Sequence, residues 1–269
     1  MSAQSHEQEW TWQWSHMQGA EHQTEQLFWE WVSPLTPDDF RGKRVLDAGC
    51  GGGHMLGYIK DLVAAGVGVD LNTAALVRER YRDCPHIRIY EGDAATWHAE
   101  EGFDVVYSIG VVHHTQDPEQ TARNLMRLVR PGGKLVIWVY GHEGNLWTRL
   151  LVEAPKRLYA WMPRRLLWWA SSILTALIYP VVYSVYKLPL TGLPFYDYFR
   201  SWRRLSFVRN STNVFDKLNA PTTHFIKRLD IDRWFAGEPF PEVRVGDWCR
   251  LSWRVCATKA PAATLDQAA

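Results

Sequence analysis

The sequence contains few cysteines, and they form no recognisable ligand pattern. Its 269 residues include only four cysteines, with no CxxC pair and no cysteine–histidine spacing typical of zinc. This argues against a structural zinc site and favours a reduced, intracellular protein. We predict that the functional site holds no metal.

An excess of charge of one sign is also missing. Thirty lysines and arginines face 29 aspartates and glutamates, which leaves a formal net charge of +1. This balance gives no reason to expect a nucleic-acid partner, and we predict none. Residues 1–14 are polar and lack the apolar core of a signal peptide, and residues 1–20 show no clear period. We therefore predict a cytoplasmic protein with a loosely packed N-terminal segment.

The regular feature of the sequence is an alternation of strand and helix patterns that begins at Arg44. After a helix at 21–32, the predicted strands are 44–50, 67–70, 87–90, 103–109 and 134–140, and the predicted helices are 54–65, 73–82 and 118–129. Two further strands, 243–248 and 252–258, are separated by a tight turn. The pattern predicts an α/β fold: a doubly wound, mostly parallel seven-stranded sheet with a C-terminal antiparallel hairpin and a helical insertion.

A glycine-rich loop joins the first strand to its helix and reads Asp47-Ala48-Gly49-Cys50-Gly51-Gly52-Gly53. Glycines at this place let a ligand approach the main chain. Asp70 follows Gly51 by 19 residues, where a carboxylate can accept hydrogen bonds from ribose hydroxyls. A nicotinamide dinucleotide is disfavoured because His54 occupies the position of the sixth-residue glycine in that fingerprint. Asp47 inside the loop suits a cationic ligand better than pyrophosphate.

The loop resembles the first motif of class I S-adenosylmethionine-dependent methyltransferases, and residues 40–141 resemble that family throughout. The further matching segments are Asp70, Gly92-Asp93-Ala94, Ser108 to His114, and Leu128 to Gly133. The resemblance implies that S-adenosylmethionine is the cofactor. On the methionine side, it implies that Gly49, Gly51 and the backbone of Ile109 line the methionyl portion and that Asp47 holds the amino group. On the nucleoside side, it implies that Asp70 binds the ribose and that Leu71 packs on the adenine. Asp93 and Ala94 would flank the adenine.

His113 and His114 are the candidate catalytic residues, because imidazole suits a general base near neutral pH. We expect an extended segment here, in which only one of the two rings faces the acceptor. The segment resembles that of cyclopropane-fatty-acid synthases and quinone methyltransferases, many of which carry Glu-His at this place. That resemblance puts His113 in the site-facing position. The alternative is that both histidines only shape a loop.

Residues 142–220 are too long for a simple connection. They include an uncharged run of 21 residues, 166–186, preceded by Arg164 and Arg165 and followed by Lys187. A single membrane crossing is excluded, because the closing hairpin must join the same sheet as the fifth strand. Residues 149–209 contain ten basic and two acidic residues, a local charge of +8. The segment is therefore either a lid over the acceptor or a segment that docks on an anionic membrane surface.

These observations predict in-line methyl transfer from S-adenosylmethionine to a small or lipid-like acceptor. One alternative is a soluble O-methyltransferase of a sugar or natural product, and another is a binding module that has lost catalysis. The protein is predicted to be cytoplasmic, and the alternative is a peripheral position on the inner face of a membrane. The predicted regions are an N-terminal helical cap (1–39), the cofactor-binding core (40–141), the helical insertion (142–220), the last helix with the closing hairpin (221–259) and a tail (260–269).

Overall fold

Seven strands pair into one sheet in the computed structural model, which describes residues 22–159 and 161–262. The strands are β1 (Arg44–Ala48), β2 (Ala65–Asp70), β3 (Ile87–Glu91), β4 (Phe103–Ile109), β5 (Val129–Tyr140), β6 (Glu242–Trp248) and β7 (Ser252–Thr258). Their order is β3-β2-β1-β4-β5-β7-β6. The first five are parallel, and β7 runs antiparallel to both β5 and β6. This confirms the predicted fold class.

Helices cover both faces of the sheet, so the central strands β1 and β4 are buried along nearly their whole length. The core helices are α1 (His22–Val32), α2 (Pro37–Phe40), α3 (His54–Ile59), α4 (Ala74–Arg80) and α5 (Pro118–Leu128). Val45 of β1 packs in one buried cluster with Phe28 of α1. Its neighbour Leu46 points to the opposite face and packs in a second cluster with Leu125 of α5. The period of two along β1 therefore separates two layers of core.

The helix predicted at 54–65 is shorter than expected, since α3 ends at Ile59 and β2 already begins at Ala65. Gly66 lies inside β2 and does not cap a helix. A Cβ at Gly66 would lie 2.5 Å from Cδ1 of Ile87 on the paired strand. The glycine is thus explained by close packing of neighbouring strands.

The insertion folds into a set of helices between β5 and the last core helix, α11 (Arg228–Phe235). Its members are α6 (Leu146–Thr148), a π-helical turn (Arg149–Glu153), α7 (Lys156–Tyr159), α8 (Arg164–Ser184), a 3-10 turn (Val185–Lys187), α9 (Tyr196–Trp202) and α10 (Phe207–Asn219). A small separate core holds them together, built on Val182, Trp202 and Val214.

Helix α8 has an unusual distribution of side chains. Its buried positions include the hydroxyl residues Ser171 and Thr175, which donate back to carbonyl groups of their own helix. Leu167 and Val182 are buried as well, but several large apolar side chains point outward, and Trp169 and Leu177 are 66% and 69% exposed. The segment Arg164–Lys187 is long and apolar enough to cross a membrane by length and composition, which on its own is weak evidence. The expectations for residues 1–20 and for the end of the tail, 263–269, lie outside the described residues.

Candidate active site

The glycine loop bends tightly at the carboxyl edge of the sheet. Gly49, Gly51 and Gly53 have φ of +82°, +51° and +76°, which are left-handed values that favour glycine. The N–H of Gly49 donates to the carbonyl of Val69 at the end of β2, at 2.7 Å. A Cβ at Gly49 would lie 2.4 Å from Cγ2 of Val111. The loop therefore runs close to both the end of β2 and the segment after β4.

Asp70 fixes this loop to the end of β2. Its Oδ2 accepts a hydrogen bond from the N–H of Gly51 at 2.9 Å. Its Oδ1 accepts from the N–H groups of Asn72 and Thr73 at 3.1 and 3.2 Å. The Thr73 hydroxyl in turn donates to the carbonyl of Gly51 at 2.5 Å. An ionised carboxylate has about four acceptor positions, so Asp70 keeps capacity for a ribose hydroxyl. Its role in holding the loop was missed in the sequence analysis.

Asp47 lies buried beneath the loop, with 1% of its surface exposed. Burial and the charge of Asp70 raise the pKa of Asp47 to about 8, against the effect of the nearby Tyr107 hydroxyl. Its Oδ2 is buried and has no hydrogen-bond partner among the described residues. Buried polar atoms are rarely left in this state. An acid with an unpaired oxygen at this position fits the predicted contact with the ammonium group of the cofactor.

The residues predicted on the adenine side lie at the ends of β2 and β3. Leu71 is 42% exposed, so its side chain is available to pack on a ligand. Asp93 is exposed, and its Oδ1 accepts from the N–H of Ala95 at 2.8 Å. Ala94 is buried, and its carbonyl accepts from the side-chain amide of Asn124 at 2.9 Å. Their contacts with adenine stay predictions.

The end of β4 supplies the remaining predicted contact. Ile109 is the last residue of the strand, and its side chain is buried in the core. Gly110 follows with φ +77°, and its N–H donates to the carbonyl of Trp138 at 3.0 Å. The chain thus turns sharply at the sheet edge, where ligands bind in open α/β folds.

The two histidines differ from expectation in backbone shape. They lie in a 3-10 turn, Val112–His114, so the expectation of an extended segment with opposed side chains is wrong. The helical turn brings the two rings together, with centroids 4.1 Å apart. The reason is local: the N–H of His114 bonds back to the carbonyl of Val111 at 2.7 Å.

His113 is completely buried. Burial lowers the pKa of His113 well below its usual value, and repulsion from His114 and His224 in their protonated forms lowers it further. Its Nδ1 accepts from the backbone N–H of Tyr140 at 3.4 Å, which places the proton on Nε2. That Nε2 is buried with no partner among the described residues. His113 is therefore neutral and presents a donor.

His114 is half-buried and has the opposite tautomer. Its Nδ1 lies 2.7 Å from the carbonyl oxygen of Thr222. A carbonyl only accepts, so Nδ1 carries the proton and Nε2 keeps a lone pair. Burial lowers the pKa of His114 to about 4, so the ring is neutral near pH 7. Nε2 of His114 is thus the nitrogen without a proton, and which of the two rings acts as the general base stays a prediction.

An aromatic chamber, which was not predicted from the sequence, lies beside the histidines. It is enclosed by α1, the ends of β5 and β7, and helices α9 and α10. Tyr140 forms its wall and also contacts His113, with ring centroids 4.1 Å apart. Lys217 of α10 projects into it and donates to the hydroxyl of Tyr198 at 3.0 Å. The abundance of tryptophan, 15 residues, was the one hint in the sequence.

Comparisons with known proteins agree with the observed fold. Residues 46–137 match the family described as "Methyltransferase domain". The tRNA U34 carboxymethyltransferase of Azotobacter vinelandii is 31% identical over 159 residues, which cover 54% of this chain and 46% of that protein. Its namesake from Pseudomonas aeruginosa strain LESB58 is 35% identical over 161 residues, covering 54% and 45%. The chain therefore spans about half the length of the curated relatives it matches.

A solved structure extends the likeness of fold to nearly the whole chain. It is a SAM-dependent methyltransferase from Thermotoga maritima, titled a possible histamine N-methyltransferase. The two share 13% identity, with a TM-score of 0.52, over 89% of this chain and 91% of that one. At this identity the likeness supports the fold alone.

One prediction about partners is wrong. We expected a small or lipid-like acceptor and no nucleic acid, but the matching curated relatives are named for a reaction on tRNA. The error has a physical origin. The net charge of +1 is the sum of a charge of +8 in residues 149–209 and a negative charge in the rest of the chain. A sum over the whole chain says nothing about a local basic surface.

The cofactor is S-adenosylmethionine. The unpaired Oδ2 of Asp47 and the glycine loop fit its ammonium group and methionine portion. The contact of Asp70 with the ribose hydroxyls stays a prediction from the family resemblance. The sheet order, the succession of motifs and the match at 46–137 agree on one conclusion. Residues 46–137 therefore form a methyltransferase domain, set in the seven-stranded sheet that is typical of class I S-adenosylmethionine-dependent methyltransferases.

Proposed function

We propose that this enzyme transfers a methyl group from S-adenosylmethionine to a nucleotide of an RNA. The observation that carries the proposal is the charge of the insertion, ten basic and two acidic residues within 149–209. The insertion, residues 142–220, contributes α9 and α10 to the chamber beside the histidines. The names of the curated relatives support the same acceptor class.

The surface of the insertion suits an RNA chain. Arg157 and Arg200 are exposed, and exposed basic groups attract phosphates without regard to sequence. Trp161 is 76% exposed and lies on the same segment, outside α8. Aromatic side chains interleaved with arginines are a common platform for unstacked bases.

The residues of the core then have distinct tasks. When bound, S-adenosylmethionine supplies a methyl group on a positively charged sulfur, which makes in-line displacement possible without a metal. Asp47 and Asp70 position the donor, and alignment of donor and acceptor is the main contribution of such a site. Nε2 of His114 accepts a proton from a hydroxyl or amine acceptor. Nε2–H of His113 donates a hydrogen bond nearby.

The direct test uses S-adenosylmethionine labelled in its methyl group. We expect the enzyme to label total tRNA, and we expect ribonuclease to release the label. Nucleoside mass spectrometry then identifies the modified base. The matched control is Asp70→Ala, which removes the donor's ribose contact. Label that appears in a lipid or metabolite fraction, and none in RNA, would contradict the proposal.

A second proposal concerns location and rests on α8. We propose that the outer face of this helix docks on a membrane surface, without crossing it. Helix α8 buries the hydroxyl side chains of Ser171 and Thr175 and exposes several large apolar ones, which is unusual for a helix in a soluble core. Arg164 and Arg165 at one end and Lys187 at the other would lie near lipid headgroups. The pairing of β5 with β7 rules out a single crossing between them.

A further inference from the structure

The chamber contains a positive charge, on Lys217, that forms no direct ion pair among the described residues. Nζ of Lys217 donates to the hydroxyl of Tyr198 at 3.0 Å and to the carbonyl of Asn213 at 3.4 Å. It also lies 5.5 Å from the ring centroid of Tyr140 and 5.1 Å from that of Tyr198. Among the described residues, no carboxylate lies within ion-pair distance of this ammonium group.

The lysine stays protonated in this enclosure. Burial alone would lower the pKa of Lys217, but its contacts with Tyr140 and Tyr198 and the charge of Asp216 raise it above the usual value. Lysine is a point charge on a flexible stem, so it normally reaches water when nothing holds it. Aromatic rings and a carboxylate beyond ion-pair distance compensate a half-buried cation only in part.

The ammonium group of Lys217 lies close to the two histidines that are the candidate catalytic residues. Tyr140, over which Lys217 lies, contacts the ring of His113, with centroids 4.1 Å apart. The hydroxyls of Thr148 and Ser201 line the same chamber and can donate to an oxyanion. The space is small, about 60 Å³, which suits a group of a few heavy atoms. A whole nucleobase would need the helices to move apart.

We infer that Lys217 binds an anionic group of the acceptor, a phosphate or a carboxylate, and so selects acceptors that carry one beside the methylated atom. The inference rests on the proposed transfer only in treating the chamber as the acceptor site. For an RNA acceptor the group is a phosphodiester. For a nucleoside modified earlier with an acidic substituent, it is the carboxylate of that substituent.

Binding of the anion can be measured without turnover. Trp31, Trp138 and Trp202 line the chamber, so tryptophan fluorescence reports on its contents. We would titrate inorganic phosphate, and in a separate arm acetate, at constant ionic strength. We expect a saturable change with at least one anion in the wild type. Its dissociation constant should rise at least tenfold in Lys217→Met. The matched control is Lys187→Met, which removes an exposed charge from the same insertion.

Two further measurements keep the test decisive. Unchanged affinity for S-adenosylhomocysteine shows that Lys217→Met is folded, and Lys217→Gln replaces it if it is not. Equal anion affinity in wild type and folded variant would overturn the inference, and so would the absence of saturable binding of either anion to the wild type. If RNA is not methylated while the variant still loses anion binding, the proposed acceptor fails and the Lys217 site stands.

Discussion

The backbone N–H of Tyr140 points at Nδ1 of His113, 3.4 Å away, and this contact separates the tasks of two adjacent histidines. It leaves His113 with a proton on Nε2, whereas the Thr222 carbonyl holds the proton of His114 on Nδ1. The two rings are in contact, yet toward a bound acceptor Nε2–H of His113 is a hydrogen-bond donor and Nε2 of His114 is a hydrogen-bond acceptor. Adjacent residues in sequence thus gain different chemistry from their backbone partners.

From this we predict that His114→Gln slows methyl transfer by about 10²–10⁴-fold, the usual contribution of a general base. His113→Gln should have a much smaller effect, because a glutamine amide can also donate a hydrogen bond. Single-turnover rates at saturating cofactor measure both, and unchanged affinity for S-adenosylhomocysteine is the control. Equal losses in the two variants would show that the tautomers do not divide the work.

The pH profile provides a separate check. A base must be neutral to act, and burial lowers the pKa of His114 to about 4. The rate should therefore hold steady as pH falls through 6.5 and decline only as pH approaches that value. An acid limb centred near 6.5, the ordinary pKa of histidine, would mean that the working base is more exposed than His114.

Asp70 should dominate the affinity for the cofactor. Asp70→Ala removes a charge-assisted hydrogen bond to the ribose, which contributes about 1.5–3 kcal/mol, or roughly ten- to a hundred-fold in affinity. Because Asp70 also holds Gly51, Thr73→Val serves as control: it removes the 2.5 Å bond to the Gly51 carbonyl and keeps the carboxylate. We expect the control to bind S-adenosylhomocysteine more tightly than Asp70→Ala in calorimetry. The reverse order would place the ribose elsewhere.

Asp47 should link cofactor binding to proton release. In the free enzyme the pKa of Asp47 is raised to about 8, so the acid is largely protonated at pH 7. An ammonium group beside it favours the carboxylate, and the proton leaves on binding. The measured enthalpy of binding at pH 7 should then depend on the ionisation enthalpy of the buffer. This dependence should vanish in Asp47→Asn, and its persistence there would assign the proton to another group.

The same residue predicts how stability of the free enzyme varies with pH. The folded state binds more protons than the unfolded chain between the ordinary pKa of aspartate and about 8. The contribution of Asp47 to the free energy of unfolding therefore falls as pH rises through that window. In Asp47→Asn this contribution is absent, so the variant should gain stability relative to wild type as pH rises from 5 to 8. Parallel denaturation curves at every pH would contradict the raised pKa.

Much of the fold followed from local sequence, whereas the chamber did not. The glycine loop and Asp70 lie within one strand–loop–helix–strand unit, where spacing alone places them at the same sheet edge. The 3-10 turn at His113 was missed because nothing in the residues themselves distinguishes it from an extended end of β4. Lys217 lies 77 residues after Tyr140, and only the packing of α10 on the core brings them together.

We expect Gly49 to be required both for its left-handed backbone angle and for the close approach of the loop to Val111. Gly49→Ala places a methyl group 2.4 Å from Cγ2 of Val111, in addition to the strain of φ +82°. Gly42→Ala is the matched control, because its φ is +68° and no atom lies within 4 Å of the added Cβ. Left-handed strain alone costs about 1–3 kcal/mol. We expect urea denaturation to show a greater loss for Gly49→Ala, accompanied by loss of cofactor binding. Equal losses would mean that the loop moves away from Val111 freely.

The outer face of α8 should bind lipid, and vesicle flotation tests this. Each large apolar side chain that enters the bilayer contributes about 1.5–3 kcal/mol, which salt does not weaken. Each basic residue near an anionic surface contributes about 1 kcal/mol, which salt screens. We therefore expect flotation with acidic vesicles, weaker flotation with neutral ones, and partial release at high salt.

Substitution separates this docking from a general effect of apolar surface. The double variant Trp169→Gln/Leu177→Gln removes two side chains that are 66% and 69% exposed, and it should stay at the bottom of the gradient. Leu229→Gln on α11 removes a side chain that is 65% exposed, far along the chain from α8, and should float like the wild type. If the wild type does not float with acidic vesicles, docking on lipid is wrong. A concentration-dependent dimer in sedimentation, lost in the double variant, would then assign the face of α8 to a second copy of the chain.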